Sequence, residues 1–150
     1  MNGTDNLILL AEDNSTDALM VRRAFSKANL QGTLEVVDDG DKAVVYLSGQ
    51  GEFADRARYP LPVLLLLDIK LPRRSGLEVL AWLRQQPGLK RLPVVVLTSS
   101  EESADINRAY DLGANSYLVK PVNFDALLAM VKGLGLYWLV FNENPEVGKV

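Results

Sequence analysis

Five short apolar runs recur along this chain, each followed by a stretch with helical spacing, and that alternation leaves few folds open. Leu7–Ala11, Leu34–Val37, Val63–Leu67, Val94–Leu97 and Ser116–Val119 read as strands. The first, third and fourth contain no polar residue, as parallel strands covered on both faces require. Between the strands, Ala18, Val21, Phe25 and Ala28 fall on one helical face. Ala43–Leu47 predicts a second helix, which Gly49 can end because glycine tolerates positive φ. Ser75-Gly76-Leu77-Glu78 is a capping box that opens a third helix, closed by Pro87-Gly88. Ser99, Glu101 and Glu102 offer the same device for a fourth, with Gly113 past its end. Asn123 can cap a fifth, running through Leu127, Val131 and Leu134.

Strand–helix units in this alternation predict a single α/β domain around a parallel sheet, with right-handed crossovers placing helices on both faces. The domain is expected over residues 1–141, with the polar stretch 142–150 as a flexible tail. The connection Gln50 to Pro62 is long, where about 4–6 residues is typical.

Composition narrows the chemistry. The chain has 150 residues and no cysteine, which excludes disulfides and thiolate metal sites. It has no histidine either, which removes Ser-His catalysis, His-ligated zinc and a phosphohistidine of its own. A net charge of -3 argues against nucleic-acid binding by charge alone. Met1–Asn6 is polar, carries Asp5, and does not resemble a signal peptide. The most apolar segment, Ala126–Phe141, contains Lys132 and falls short of the roughly 20 residues of a membrane span. A cytoplasmic protein with no membrane association is therefore expected.

In a parallel sheet every strand ends at the same edge, so residues just after the strands gather in one crevice. Those positions hold Glu12 and Asp13, Asp68, Thr98 and Lys120. Taken singly, each could be a turn-former, a strand end or a helix cap. Taken together, they bring three carboxylates, a hydroxyl and an ammonium to one edge. Crowded acids repel and raise one another's pKa unless a cation compensates, and a hard divalent ion such as Mg²⁺ suits carboxylate oxygens.

With these motifs in view, the sequence resembles the receiver domain of two-component response regulators from Leu7 to about Leu134. The resemblance rests on Ala-Glu12-Asp13-Asn, on Leu-Leu-Asp68-Ile-Lys-Leu-Pro72-Arg-Arg-Ser-Gly76, on Val-Leu-Thr98-Ser and on Tyr117-Leu-Val-Lys120-Pro121. It implies a flavodoxin-like (βα)5 doubly wound sheet with strand order 2-1-3-4-5, the order that the general account of such folds gives for a member of this family. It also implies that Asp68 accepts a phosphoryl group from a sensor histidine kinase. Glu12, Asp13, Asp68 and the backbone carbonyl of Lys70 would hold Mg²⁺. Lys120, the Thr98 hydroxyl and the Ser99 amide would bind phosphoryl oxygens. Tyr117 would swing from exposed to buried as Thr98 moves inward, and the Lys120–Pro121 bond would be cis. Such a module signals by contact, with no DNA-binding output of its own.

Two departures from the usual family pattern matter. Glu12 stands where Asp is more common, and its extra methylene suggests coordination through water. Lys70, two residues after Asp68, and Ser100, two after Thr98, occupy places that tune water access to an acyl phosphate, so slow self-dephosphorylation is expected. The long loop Gly51 to Pro62 and the Tyr137-Trp138-Leu139 ending resemble stand-alone response regulators paired with bacterial phytochromes. That similarity implies a phytochrome kinase as partner. It also implies a homodimer through the fourth and fifth helices and fifth strand, including Trp138 and Phe141. Leu136, Tyr137, Leu139, Val140 and Phe141 fill faces that a core helix would not need, while Gly133 and Gly135 weaken the helix where it is expected to break. A haloacid dehalogenase-like phosphohydrolase is the rival reading, but it wants a second Asp where Lys70 stands. A flavin binder would want Ser, Thr and Gly in place of Glu12-Asp13.

Overall fold

In a computed structural model that describes residues 6–148, the alternation folds as five parallel strands in the order β2-β1-β3-β4-β5. The strands are β1 (Leu7–Ala11), β2 (Thr33–Val37), β3 (Leu64–Leu67), β4 (Val94–Thr98) and β5 (Ser116–Val119). The helices are α1 (Ser15–Lys27), α2 (Gly40–Ser48), α3 (Gly76–Arg84), α4 (Ser103–Asp111) and α5 (Phe124–Gly135). Met1–Asp5, with the acid expected to argue against a signal peptide, lies outside the described residues, as do the last two residues of the tail.

The apolar strands are central because both of their faces are covered. β1, β3 and β4 are buried throughout, whereas β2 and β5, at the sheet edges, are mostly half-buried. One core layer packs Leu9, Leu65 and Leu67 against Tyr46, Val79, Leu80 and Leu83. The other packs Ile8, Leu10 and Val95 against Val21, Ala24, Leu127 and Val131.

Capping follows the sequence in most places. Ser75 and Glu78 form the reciprocal capping box of α3, Asn123 caps α5, and Gly49 ends α2 at φ 66°. The fourth helix is a correction. It starts at Ser103, not near Ser99, and its N-cap residue Glu102 makes no side-chain cap bond. Instead the Ser100 hydroxyl donates to Asp105 at 2.6 Å and accepts the Glu102 amide at 3.3 Å, so the serine ties down the loop ahead of the helix.

The fifth helix is also corrected. It does not break at Gly133 or Gly135 but widens into a π-helix over Leu136–Phe141. Gly135 is buried, and a Cβ there would overlap the Leu30 side chain, so close packing accounts for the glycine. Phe124–Phe141 is apolar and long enough to cross a membrane by composition, yet Leu127 and Val131 are buried and α5 packs on α1. In the tail, Val147 packs on the first core layer and the Gly148 amide donates to the Gly88 carbonyl at 2.7 Å. The long loop holds a 3₁₀ turn, Gly51–Phe53, and a cluster of Tyr46, Phe53 and Tyr59.

One glycine bears directly on the sheet edge. Gly76 opens α3 with its amide on the Ile69 carbonyl at 3.0 Å, and a Cβ there would strike the Asp68 carbonyl oxygen and lie 2.6 Å from the Ile69 Cα. Both are backbone and cannot give way as a flexible side chain would. Gly76→Ala is expected to lower stability by about 1–3 kcal/mol in urea unfolding, the range for overpacking a tight site. A stability loss within error of wild type would show that the loop after β3 is looser than drawn.

Candidate functional site

The C-terminal edge of the sheet gathers its side chains through backbone bonds that run one residue past the strands. The Glu12 amide donates to Val37, the Asp68 amide to Ala11 and the Lys120 amide to Thr98, at 3.0, 3.1 and 2.8 Å. Each chemically active side chain therefore leaves from a position that the sheet itself holds.

Lys120 is the hub. Its ammonium lies 2.9 Å from Asp68 Oδ2, 2.5 Å from Glu12 Oε1 and 2.9 Å from Asp17 Oδ2. Asp68 also accepts the Thr98 hydroxyl at 2.8 Å and the Lys70 amide at 3.0 Å on its other oxygen. Among the described residues, no buried side-chain nitrogen or oxygen lacks a hydrogen-bond partner. Carboxylate oxygens of Glu12, Asp13 and Asp68 lie within 4.8 Å of one another, with Asp13 exposed and the other two buried. They face an open polar basin that Lys70, Ser99 and Lys120 also line.

This donor set fits a hard divalent cation: all the ligand atoms are oxygens, the carboxylates are close enough to share one ion, and Asp13 opens the site to solvent. Lys120 alone cannot balance the four acids Glu12, Asp13, Asp17 and Asp68.

The two buried acids are pulled in opposite directions. Burial pushes the Asp68 carboxyl up, but the Lys70 amide, the Lys120 ammonium and the Thr98 hydroxyl outweigh it and hold Asp68 below its ordinary value. Burial dominates at Glu12, and the charge of Asp68 adds to it, so Glu12 sits above its ordinary value despite Lys120 and the Asn14 amide. Burial would lower Lys120, yet Glu12, Asp17 and Asp68 together raise it. Asp68 is thus an ionised carboxylate, with a fixed ammonium on one oxygen and a hydroxyl and an amide on the other.

This geometry belongs with a known family. A profile of the response regulator receiver domain matches residues 8–132. The chain belongs to that receiver family. The response regulator Rcp1 of Synechocystis sp. is 41% identical over 133 residues, covering 89% of this chain and 88% of its own. The crystal structure of the phosphorylated cyanobacterial phytochrome response regulator RcpA superposes with a TM-score of 0.87 at 38% identity, covering 95% of this chain and all of that one. The Mn²⁺-bound form of Rcp1 gives 0.83 at 39%, covering 93% and 99%. As a receiver domain the chain is a signalling module whose partner class is the histidine kinase, and the phosphohydrolase alternative finds no support.

The receiver domain brings together all the predicted edge residues: Glu12, Asp13, Asp68, Thr98 and Lys120 converge, with the Lys70 amide on Asp68 and Ser99 at the rim. Tyr117 is half-buried against Ile69, Val96 and Ala109, and its hydroxyl donates to the Ser100 carbonyl at 3.0 Å. Thr98 and Tyr117 are therefore both turned inward in this structure. The Lys120–Pro121 bond corrects the sequence expectation, since no described residue has a cis peptide. A cis X–Pro bond is the minor isomer by about 0.5–1 kcal/mol, so the trans form needs no special support.

Asp17 is the contributor that sequence reasoning missed. It lies in the first turn of α1, where an acid reads as a partner of the helix dipole. Its one sequence signal is that it stands four residues after Asp13, so the first helical turn returns it toward the edge.

The opposed shifts set a pH dependence. Asp68 is depressed, so its ionised form adds stability above its ordinary value of 3.8, and that contribution is lost as pH falls through the depressed value. In Lys120→Met burial faces weaker opposition, and the Asp68 carboxyl is expected to move up relative to wild type. Carbon-13 NMR titration of the Asp68 carboxyl reads this directly, and an unchanged midpoint in the variant would contradict the assigned cause.

Proposed function

We propose that this receiver domain accepts a phosphoryl group on Asp68 from the phosphohistidine of a sensor kinase. The carrying observation is the Asp68 carboxylate, ionised and held between Lys120 at 2.9 Å and Thr98 at 2.8 Å at the mouth of an acid cluster. An Asp68 oxygen attacks phosphorus, the new O–P bond forms, the N–P bond breaks, and the imidazole leaves. Glu12, Asp13, Asp68 and the Lys70 carbonyl would hold Mg²⁺, which supplies charge compensation for the phosphoryl group when bound. Lys120 acts as a point charge on one phosphoryl oxygen, while the Thr98 hydroxyl and the Ser99 amide take the others. Asp68 would then exchange its bond from Thr98 for the acyl phosphate, and the Thr98–Tyr117 pair would become the two-state element that the charge biases. Apart from this self-phosphotransfer and self-dephosphorylation the domain performs no catalysis.

The kinase is a bacterial phytochrome on this reading. Support comes from the phytochrome response regulator RcpA, which shares 38% of its sequence with this chain. The setting is the cytoplasm, where such kinases present their phosphohistidine. Output passes through the surface of α4, β5 and α5 and a homodimer formed there, with Trp138 and Phe141 included. Nucleic acid has no part in it. Leu136, Tyr137, Val140 and Phe141 are exposed by 48%, 56%, 59% and 71%, more apolar surface than a short helix ending leaves to water without a partner.

Incubation with Mg²⁺ and a small phosphodonor is expected to add the mass of one phosphoryl group to wild type and nothing to Asp68→Asn. Followed over time, the label should persist for minutes, because Lys70 shields the acyl phosphate; loss within seconds would reject that role. Label retained in Asp68→Asn would move the phosphoacceptor elsewhere. Phe141→Asp is expected to shift sedimentation of the unlabelled or the labelled protein toward monomer. A dimer that survives this change would place the interface away from the end of α5.

A further inference from the structure

We infer that Asp17 is a positioning residue for Lys120: its carboxylate keeps the ammonium beside Asp68 while the other acids are engaged by a divalent cation and a phosphoryl group. This inference rests on the proposed phosphoacceptor role of Asp68.

An ammonium has three N–H donors. Lys120 donates to Asp17 and Asp68 and forms an ion pair with Glu12. Two of those carboxylates have another claimant, since Glu12 and Asp68 share with Asp13 the set of oxygens within 4.8 Å of one another. A carboxylate drawn to a divalent cation no longer gives its full charge to a lysine, and the cation repels the ammonium besides. Asp17 stands outside that set. It approaches Lys120 from α1, and its own amide is held at 2.9 Å by Asn14 Oδ1.

Asn14, not Asp17, is the N-cap of α1, so the Asp17 carboxylate is not needed to satisfy the helix end. Its Oδ2 meets the lysine at 2.9 Å although the side chain is 41% exposed and could turn to water. Lysine has a flexible four-carbon stem, and an ammonium with no fixed partner explores many positions. The carboxylate that the cation leaves free is thus the one that sets where the lysine waits. Phosphotransfer depends steeply on such placement, because a group held in position has no ordering left to do in the transition state.

Two readouts test this on the full chain. The first is the ¹H–¹⁵N NMR signal of the Lys120 ammonium, visible only when the group is held and shielded from rapid exchange, recorded without and with Mg²⁺. Wild type should keep the signal in both conditions. Asp17→Asn should keep it without Mg²⁺, where Glu12 and Asp68 suffice, and lose it when Mg²⁺ is added; Asp17→Glu should restore it. The second readout is the rate of labelling by acetyl phosphate. Asp17→Asn should slow it roughly three- to fivefold, the scale of one partly exposed ion pair felt in a transition state. In a Lys120→Ala background the same change should do nothing further, whereas a merely structural role would slow both backgrounds alike.

A Lys120 signal that survives Mg²⁺ in Asp17→Asn, or equal slowing in both backgrounds, overturns the inference. If Lys120→Ala takes no label, the NMR comparison alone decides. If wild type takes no label on Asp68, the phosphoacceptor reading fails instead, and the NMR comparison still tells whether Asp17 holds the lysine.

Discussion

One ammonium among three carboxylates organises the sheet edge. Glu12 and Asp68 are buried, and a buried ion without a partner costs several kcal/mol. Lys120 offsets part of that cost, and the ladder bond from its amide to Thr98 fixes where its side chain starts. A cluster like this is a poor means of stabilising a fold, since apolar side chains of similar volume would do as well or better. Its presence is explained by charge chemistry. An acid cluster with one resident cation is under-compensated, and that deficit suits the edge to a divalent ion.

Most of this edge could be read from the amino acids because a parallel sheet converts sequence order into place. Glu12, Asp68, Thr98 and Lys120 each end or follow a strand, and strand ends converge whatever lies between them. Asp17 escaped because it belongs to a helix, where rotation about the axis decides whether an acid faces the site or the solvent, and its first-turn position had a sufficient local explanation. The start of α4 was misread for a similar reason. Ser99 followed by acids satisfies a capping pattern, yet Ser100 spends its hydroxyl on Asp105 and the Glu102 amide, which delays the helix to Ser103. At Gly135 propensity pointed to a break, but the glycine packs closely against Leu30 and the helix continues, so tertiary packing prevailed over local preference.

The long loop shows the opposite balance. No periodicity marks Gln50 to Pro62, and none is needed, because side chains order it. Arg56 donates to the Leu47 and Tyr59 carbonyls and Tyr46 to the Pro60 carbonyl, while Phe53 closes the aromatic cluster. Contacts at such irregular separations along the chain leave no periodic pattern to detect.

The acid site and an apolar groove adjoin at β5. It is the last strand in the order and pairs with β4 alone, so its outer side lies at the rim of the sheet. Lys120 follows it directly, and Tyr117 within it reaches the Ser100 carbonyl ahead of α4. Ser116 and Leu118 line a groove completed by Met130, Leu134, Tyr137 and Trp138 of α5 and its π-helical extension. Thr98 is bonded to Asp68, and Thr98 neighbours β5 in the ladder. Only one strand then separates the acid cluster from the apolar surface. The path is short: one hydrogen bond joins Asp68 to Thr98, and one strand ladder joins Thr98 to β5, with no relay through the core between them.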